Sequence, residues 1–188
     1  MIQAKFYFEE TPGRSGKLEV GVHSGVQFLG LVKSEDYYDI RFGSKGSFIH
    51  KRLFRPTGSN PQDGETVAEA ITREIDRNLK HVVRMMDIVL GDEVVSGFEA
   101  PDYDSFMAKA AEALNANKGY LVNLKVIPDR NNKWPDLGYY PSYVEKHVPG
   151  EEPSLKFSAK ELERLEQYKQ AQAASDGADT MPGMGRIS

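Results

Sequence analysis

The residues best equipped for chemistry lie between Tyr37 and Arg55, in the segment YYDIRFGSKGSFIHKRLFR. Its pattern predicts a β-hairpin turning at Gly43-Ser44-Lys45-Gly46. Side chains at i and i+2 of a strand share a face. Phe48, His50, Arg52 and Phe54 therefore fall on one side, and Ile49, Lys51 and Leu53 on the other. A buried face would not normally place His and Arg between two Phe. A face that stacks bases on aromatic rings and follows the phosphates with cations would do so. On the first strand Tyr37 and Arg41 share a face with Asp39, whereas Tyr38 and Phe42 join Ile40 and are expected in the core.

A second group lies far downstream. The polar loop from Pro128 to Asp136 carries Arg130, Lys133 and Trp134, the only tryptophan. Lys125 precedes it, on the side of a strand opposite Val122, Leu124 and Val126. The candidate nucleic-acid contacts are thus Tyr37, Arg41, Phe48, His50, Lys51, Arg52, Phe54, Arg55, Lys125, Arg130, Lys133 and Trp134.

Other chemistries find little support. His23, His50, His81 and His147 have no metal-ligand spacing between them, and neither a nucleophile elbow, a phosphate-binding glycine loop nor H-E-x-x-H is present. Asp36 and Asp39 with Glu9 and Glu10 could in principle gather a magnesium ion, but acidic loop residues are common. No catalytic residue, metal or cofactor is expected. The absence of cysteine removes disulfides, thiolate zinc sites and cysteine nucleophiles, and it suits a reducing compartment.

The chain has 188 residues, 39% hydrophobic and 10% aromatic, enough for one buried domain with a tail to spare. With no apolar run near the ~20 residues of a membrane span and no signal-peptide core in MIQAKFYFEE, a soluble, cytoplasmic protein is expected. The net charge of −4 argues mildly against nucleic acid. Its distribution matters more: between Lys33 and Arg55 six Lys/Arg stand against three Asp/Glu. A locally basic patch on an acidic protein still attracts phosphates.

The elements that must position these residues follow in order. Strands are expected over Ile2–Phe8, over Leu18–Val32 with bends at Gly21, Gly25 and Gly30, and over Tyr37–Phe42 and Phe48–Phe54. Apolar residues from Val67 to Leu90 recur at spacings of three and four, predicting a helix within Glu65–Leu90. Its charges, Glu69, Arg73, Arg77, Lys80 and Arg84, read as a solvated face. A second helix is predicted over Asp104–Asn115, then strands over Tyr120–Ile127 and roughly Gly138–His147, with Pro141 implying an edge or bulge. Ser158-Ala159-Lys160-Glu161 is a capping box that opens a helix to about Ala174, and disorder is expected from Ser175.

Apart from the N-terminal strand, three strands, a helical insert and two strands make up the order. This mainly β (α+β) arrangement matches the OB-fold, a five-stranded Greek-key barrel with helices between strands three and four, here followed by a C-terminal helix. Residues 1–150 would form the barrel domain with its insertion at about 62–117, 151–174 the helix and 175–188 the tail. Oligonucleotides bind such barrels across strands two and three and the loop joining strands four and five. Both candidate groups fall there.

The segments EVGVHSGVQFLGLV, DYYDIRFGSKGSFIHKRLFRP and YLVNLKVIPDRNNKWPDLGYYPSYVEKH resemble the single-stranded DNA-binding proteins of tailed phages, over roughly Lys17 to His147. The resemblance implies a non-enzymatic, sequence-tolerant binder of single-stranded DNA acting in replication, recombination or repair, with replication or recombination proteins as further partners. Members commonly end in an acidic tail, whereas Met181 to Ser188 carries no acid. The alternative is a protein-interaction module of the same barrel class, in a phage structural or assembly protein, since fold does not fix function. A metal-dependent nuclease using the scattered carboxylates is a third and weaker option.

Overall fold

The computed structural model describes residues 16–178. The strand expected at Ile2–Phe8, residues Glu9 and Glu10, and all but the first few residues of the tail lie outside them. Seven strands and four helices follow one another: β1 (Gly16–Lys17), β2 (Gly21–Lys33), β3 (Tyr37–Ser44), β4 (Ser47–Phe54), α1 (Val67–Leu90), α2 (Asp92–Ser96), α3 (Tyr103–Asn115), β5 (Leu121–Pro128), β6 (Pro135–Leu137), β7 (Val144–Lys146) and α4 (Ala159–Ala178). The result is a mixed α+β fold around a nearly closed, barrel-shaped sheet, compatible with an OB-like barrel.

β2 makes the curvature possible. It pairs antiparallel with β3 on one side and β5 on the other, and each ladder slips once, between Phe28 and Gly30 and between His23 and Val26. The slips coincide with Gly30 (φ 127°) and Gly25 (φ 68°), conformations that side-chain-bearing residues rarely adopt. At Gly30 an added Cβ would also lie 2.6 Å from Asn115 Oδ1. That amide is occupied: it accepts from Leu31 N at 2.8 Å and donates to Leu31 O at 3.0 Å, tying α3 to the bulge. The bend and the helix contact thus need the same glycine.

The barrel nearly closes where β4 approaches β6, and Lys51 Nζ donates across that gap to Leu137 O at 3.1 Å. The core inside contains Phe28, Ile40, Phe42, Leu53, Val122, Leu124 and Val126, joined by Val82, Met85 and Met86 of α1 and Met107 and Leu114 of α3. Tyr38 and Phe42 are buried with Ile40, as the alternation of β3 requires.

Two differences from the sequence pattern have clear causes. The run Gly138–His147 is not one strand: β6 pairs with Val126–Pro128, β7 pairs with Val122–Leu124, and a 3-10 turn at Pro141–Tyr143 loops out between them. Proline begins that turn because its fixed φ suits the first helical position. The α1 face turned inward is also more polar than its spacing suggested. Glu74, Asn78 and His81 are buried on it, while Val67 is exposed. Each of these residues anchors a neighbour: Glu74 Oε2 accepts from Thr57 N and Gly58 N at 2.9 and 3.0 Å, and Asn78 Nδ2 donates to Phe54 O at 2.8 Å, although Asn78 Oδ1 has no partner.

The capping box of α1 forms between Thr66 and Glu69, and that of α4 between Ser158 and Glu161. α4 runs on to Ala178, so the first residues expected to be disordered are helical. Among the described residues no helix is long and apolar enough to cross a membrane.

His81 is a further buried polar anchor on α1. Nε2 lies 2.9 Å from Tyr139 O, which can only accept, so Nε2 carries the proton and Nδ1 accepts from the Tyr143 hydroxyl at 3.1 Å. Burial, reinforced by the Lys51 charge, pushes its pKa down to about 4. Above pH 6.5 the imidazole is neutral in both folded and unfolded chains; below it only the unfolded chain takes up the proton. Stability should therefore fall by about 1.4 kcal/mol per pH unit from 6.5 toward 4. Urea unfolding across that window measures the slope, which His81→Gln should flatten.

Candidate nucleic-acid interface

β3 and β4 are joined by an unbroken antiparallel ladder, so each residue has a fixed neighbour on its own face. Tyr37 stands opposite Phe54, Asp39 opposite Arg52, Arg41 opposite His50 and Gly43 opposite Phe48. The turn that sets this register has Lys45 and Gly46 both at positive φ (49° and 82°), the requirement of a two-residue type I′ loop. The outward face thus collects Tyr37, Arg41, Phe48, His50, Arg52 and Phe54, while Ile49 and Leu53 of β4 point into the core.

One buried carboxylate organises this face. Asp39 is only 3% exposed. Arg52 Nε lies 3.3 Å and Arg41 Nη2 3.7 Å from its two oxygens. A carboxylate this enclosed requires paired cations, and two guanidiniums around it leave an excess of positive charge. The Arg52 guanidinium also lies 4.0 Å from the Tyr37 ring centroid and 5.9 Å from that of Phe54. Tyr37 and Phe54 themselves meet edge to face at 5.9 Å. Phe54 nevertheless remains 57% exposed, an apolar ring presented to solvent on a rigid strand.

The other end of the face depends on a glycine. A Cβ at Gly43 would sit 2.8 Å from Leu29 Cδ1 and 3.1 Å from Phe48 Cδ1. The missing side chain lets the Phe48 ring settle toward the sheet between those neighbours. His50 lies between the two ends. Desolvation holds its pKa below the usual histidine value, with Arg52, Arg41 and Lys17 acting in the same sense against Asp39.

Trp134 joins this face through Lys17. β1 runs parallel to β4 with Lys17 in register with Phe48, and Leu18 N donates to Phe48 O at 3.0 Å. Lys17 Nζ lies 5.3 Å over the ring of Trp134, which is 60% exposed. The β5–β6 loop is held in place by Asp129 Oδ1, which accepts from Lys133 N and Trp134 N at 2.7 and 3.2 Å. Aromatic rings and cations therefore alternate from Tyr37 and Phe54, past Arg52, Arg41 and Phe48, to Lys17 and Trp134. Such a surface can stack planar rings and accept anionic groups between them.

Five candidates lie elsewhere or at the margin. Lys125 is buried, paired with Glu161 of α4 at 2.8 Å and donating to Lys156 O at 3.0 Å, so it anchors the C-terminal segment instead of joining the face. Lys51 points to the β4–β6 gap, where burial lowers its pKa against the opposing charge of Asp136. Arg55 sits past the end of β4, in an exposed pair with Asp104 at 3.2 Å. Arg130 is exposed on the β5–β6 loop, near enough to Lys51 to bear on its charge. The side chain of Lys133, beside Trp134, is exposed as well.

Lys17 was absent from the sequence-derived set because its two-residue strand carries no periodicity and its parallel pairing with β4 is a tertiary fact. Among the described residues no cluster of His, Asp or Glu could hold a metal ion. No protein-family model matches the chain, and neither does a curated protein or a solved structure.

The face assignment can be tested by stability alone. Phe54→Ala, at an exposed position, should change unfolding free energy by no more than about 0.5 kcal/mol, whereas Arg52→Ala deprives the buried Asp39 of its nearest cation and should cost about 1–3 kcal/mol. Phe42→Ala, from the same hairpin but the opposite face, should cost about 3–5 kcal/mol. Chemical denaturation of the three variants gives the comparison, and a large loss for Phe54→Ala would invert the faces.

Proposed function

We propose that this protein binds single-stranded DNA without sequence preference and without catalysis, acting in phage DNA replication, recombination or repair. The observation that carries the reading is the outward β3–β4 face, where aromatics and guanidiniums stand in fixed register and continue through Lys17 to Trp134. The strand order supports the finer reading of the barrel as an OB-fold. β2 as first strand pairs with both β3 and β5, the helices fall between β4 and β5, and β4 meets β6 at the closing edge. In that frame β3 and β4 are strands two and three, and Trp134 lies on the loop between strands four and five, the surfaces with which OB-folds hold oligonucleotides. The resemblance to phage single-stranded DNA-binding proteins points the same way.

In this mechanism Phe54, Phe48 and Trp134 stack on successive bases at ~1–3 kcal/mol each, and Arg41, Arg52 and Lys17 hold phosphates. Arg52 needs no reorganisation to do so, since Asp39 and Tyr37 already fix its plane. Every base has a π-face, so the interaction tolerates any sequence, and a strand held flat against the sheet cannot reanneal.

Titration with oligo-dT, followed by Trp134 fluorescence, should show quenching and a steep salt dependence, with a log–log slope of ~0.7 per phosphate neutralised. Phe54→Ala and Arg52→Ala should each weaken binding by roughly 5- to 150-fold. Binding should also tighten as pH falls below the usual histidine range, because His50, its pKa lowered by burial, gains a positive charge among the phosphates only there. His50→Gln should remove that pH dependence. Absence of binding at low salt would overturn the proposal.

A further inference from the structure

A second cation–aromatic surface begins where the first one ends. Beyond Phe54 the chain turns away from the sheet and, with α1, encloses a cleft of ≈ 500 Å3 lined by Phe54, Arg55, Thr57, Ser59, Arg73 and Arg77. Its wall is firm. The buried Glu74 accepts from Thr57 N and Gly58 N, and Gly58 (φ 66°) packs so closely on α1 that a Cβ there would lie 2.7 Å from Val67 O. Glu74 and Asp36 also line the cleft, and the Glu74 charge bears on Arg73. Thr57 Oγ1 donates to Ser59 Oγ at 3.0 Å, which leaves the Ser59 proton for another acceptor.

Arg77 connects this cleft to an aromatic pair. Its guanidinium lies 5.8 Å from the Tyr139 ring, and Tyr139 meets Tyr140 edge to face at 5.0 Å. Both tyrosines precede the 3-10 turn and are exposed, Tyr140 to 65%. His81 fixes their backbone through Tyr139 O. Among the described residues Arg77 has no carboxylate within ion-pairing distance, whereas Arg73 is paired with Glu65 at 2.9 Å. A cation left unneutralised beside two exposed rings, in a cleft with hydroxyl donors, suits a phosphate flanked by a stackable base.

We infer that the cleft and the Tyr139–Tyr140 pair form a second subsite for the same single-stranded nucleic acid, entered past Phe54, with Arg77 holding a phosphate and Tyr140 stacking on a base. The inference rests on the proposed binding role of the β3–β4 face, with which it shares Phe54. It assigns α1 a part in binding that its charge pattern, read as a solvated face, does not reveal. It also makes site size depend on the length of the strand: a short oligomer fits on the sheet face alone, while a longer one reaches the cleft.

The test compares oligo-dT of ~6 and ~20 nucleotides, lengths that bracket the site sizes of single OB-folds. Fluorescence anisotropy of the labelled oligomers is read for the full-length chain, Phe54→Ala, Arg77→Ala, Tyr140→Ala and the Arg77/Tyr140 double variant. Each single variant should weaken the long oligomer at least ~5-fold and leave the short one unchanged. Arg77→Ala should in addition lower the salt slope by ~0.7, on the long oligomer only. Tyr140 is exposed enough that its variant should keep the parent melting temperature, so the comparison stands even if Arg77→Ala perturbs α1. Equal affinity of the parent and the double variant for the long oligomer, or equal losses at both lengths, would overturn the subsite. If both lengths bind and only Phe54→Ala weakens them, the face stands without the cleft. If the parent binds neither, the reading of the face fails and the subsite with it.

Discussion

Eight consecutive residue pairs join β3 to β4 without a bulge, and much of the molecule depends on that unbroken register. A period of two leaves each side chain only two destinations. Ile40, Phe42, Ile49 and Leu53 go to the core, and their neighbours Asp39, Arg41, His50, Arg52 and Phe54 must go to the other face. A slip by one residue would bury Arg52 and His50 among Phe28 and Val82 and expose the core. The strength of the hydrophobic demand on one face therefore fixes the chemistry of the other. The register chooses the face, and Asp39 then holds the guanidiniums on it.

The neighbouring strand has the opposite property. β2 slips twice, at Gly25 and Gly30, so that one strand can serve both β3 and β5 and bring the sheet round on itself. Curvature is thus concentrated in β2 and flat regularity kept in the β3–β4 ladder. α1 then covers the barrel with a face whose polar members each bind a backbone or side-chain group from a loop: Glu74 the segment after β4, Asn78 the end of β4, and His81 the turn after β6. A wholly apolar helix would pack as well against the core but would leave those loops unattached. The same anchors shape the cleft beside Phe54.

How far this could be read from sequence follows from the range of each signal. The hairpin, its turn and its two faces were legible, because alternation and turn glycines are local. So were the glycine bends of β2 and the capping box of α4. The inward face of α1 was only partly legible, since a spacing of three and four identifies a helix but does not tell whether Glu74 or Ile75 faces in once loops supply hydrogen-bond partners. Lys125 looked like a candidate contact from its place on a strand, yet α4, far along the chain, covers it with Glu161. Lys17 and the Tyr139–Tyr140 pair escaped for the converse reason: nothing near them in sequence announces the strand or the arginine beside which they lie.

The claim on which the functional account rests is that one sheet face, and no other surface, receives the nucleic acid first. Amide and indole chemical-shift mapping by NMR, with a short oligo-dT titrated into the labelled protein at low salt, addresses it directly. The account predicts that the largest shifts cluster at Tyr37, Arg41, Phe48, His50, Arg52, Phe54 and the Trp134 indole, with Lys125 and the exposed side of α4 silent. Shifts centred on α4 or on the β5–β7 side, with the β3–β4 ladder unmoved, would contradict it.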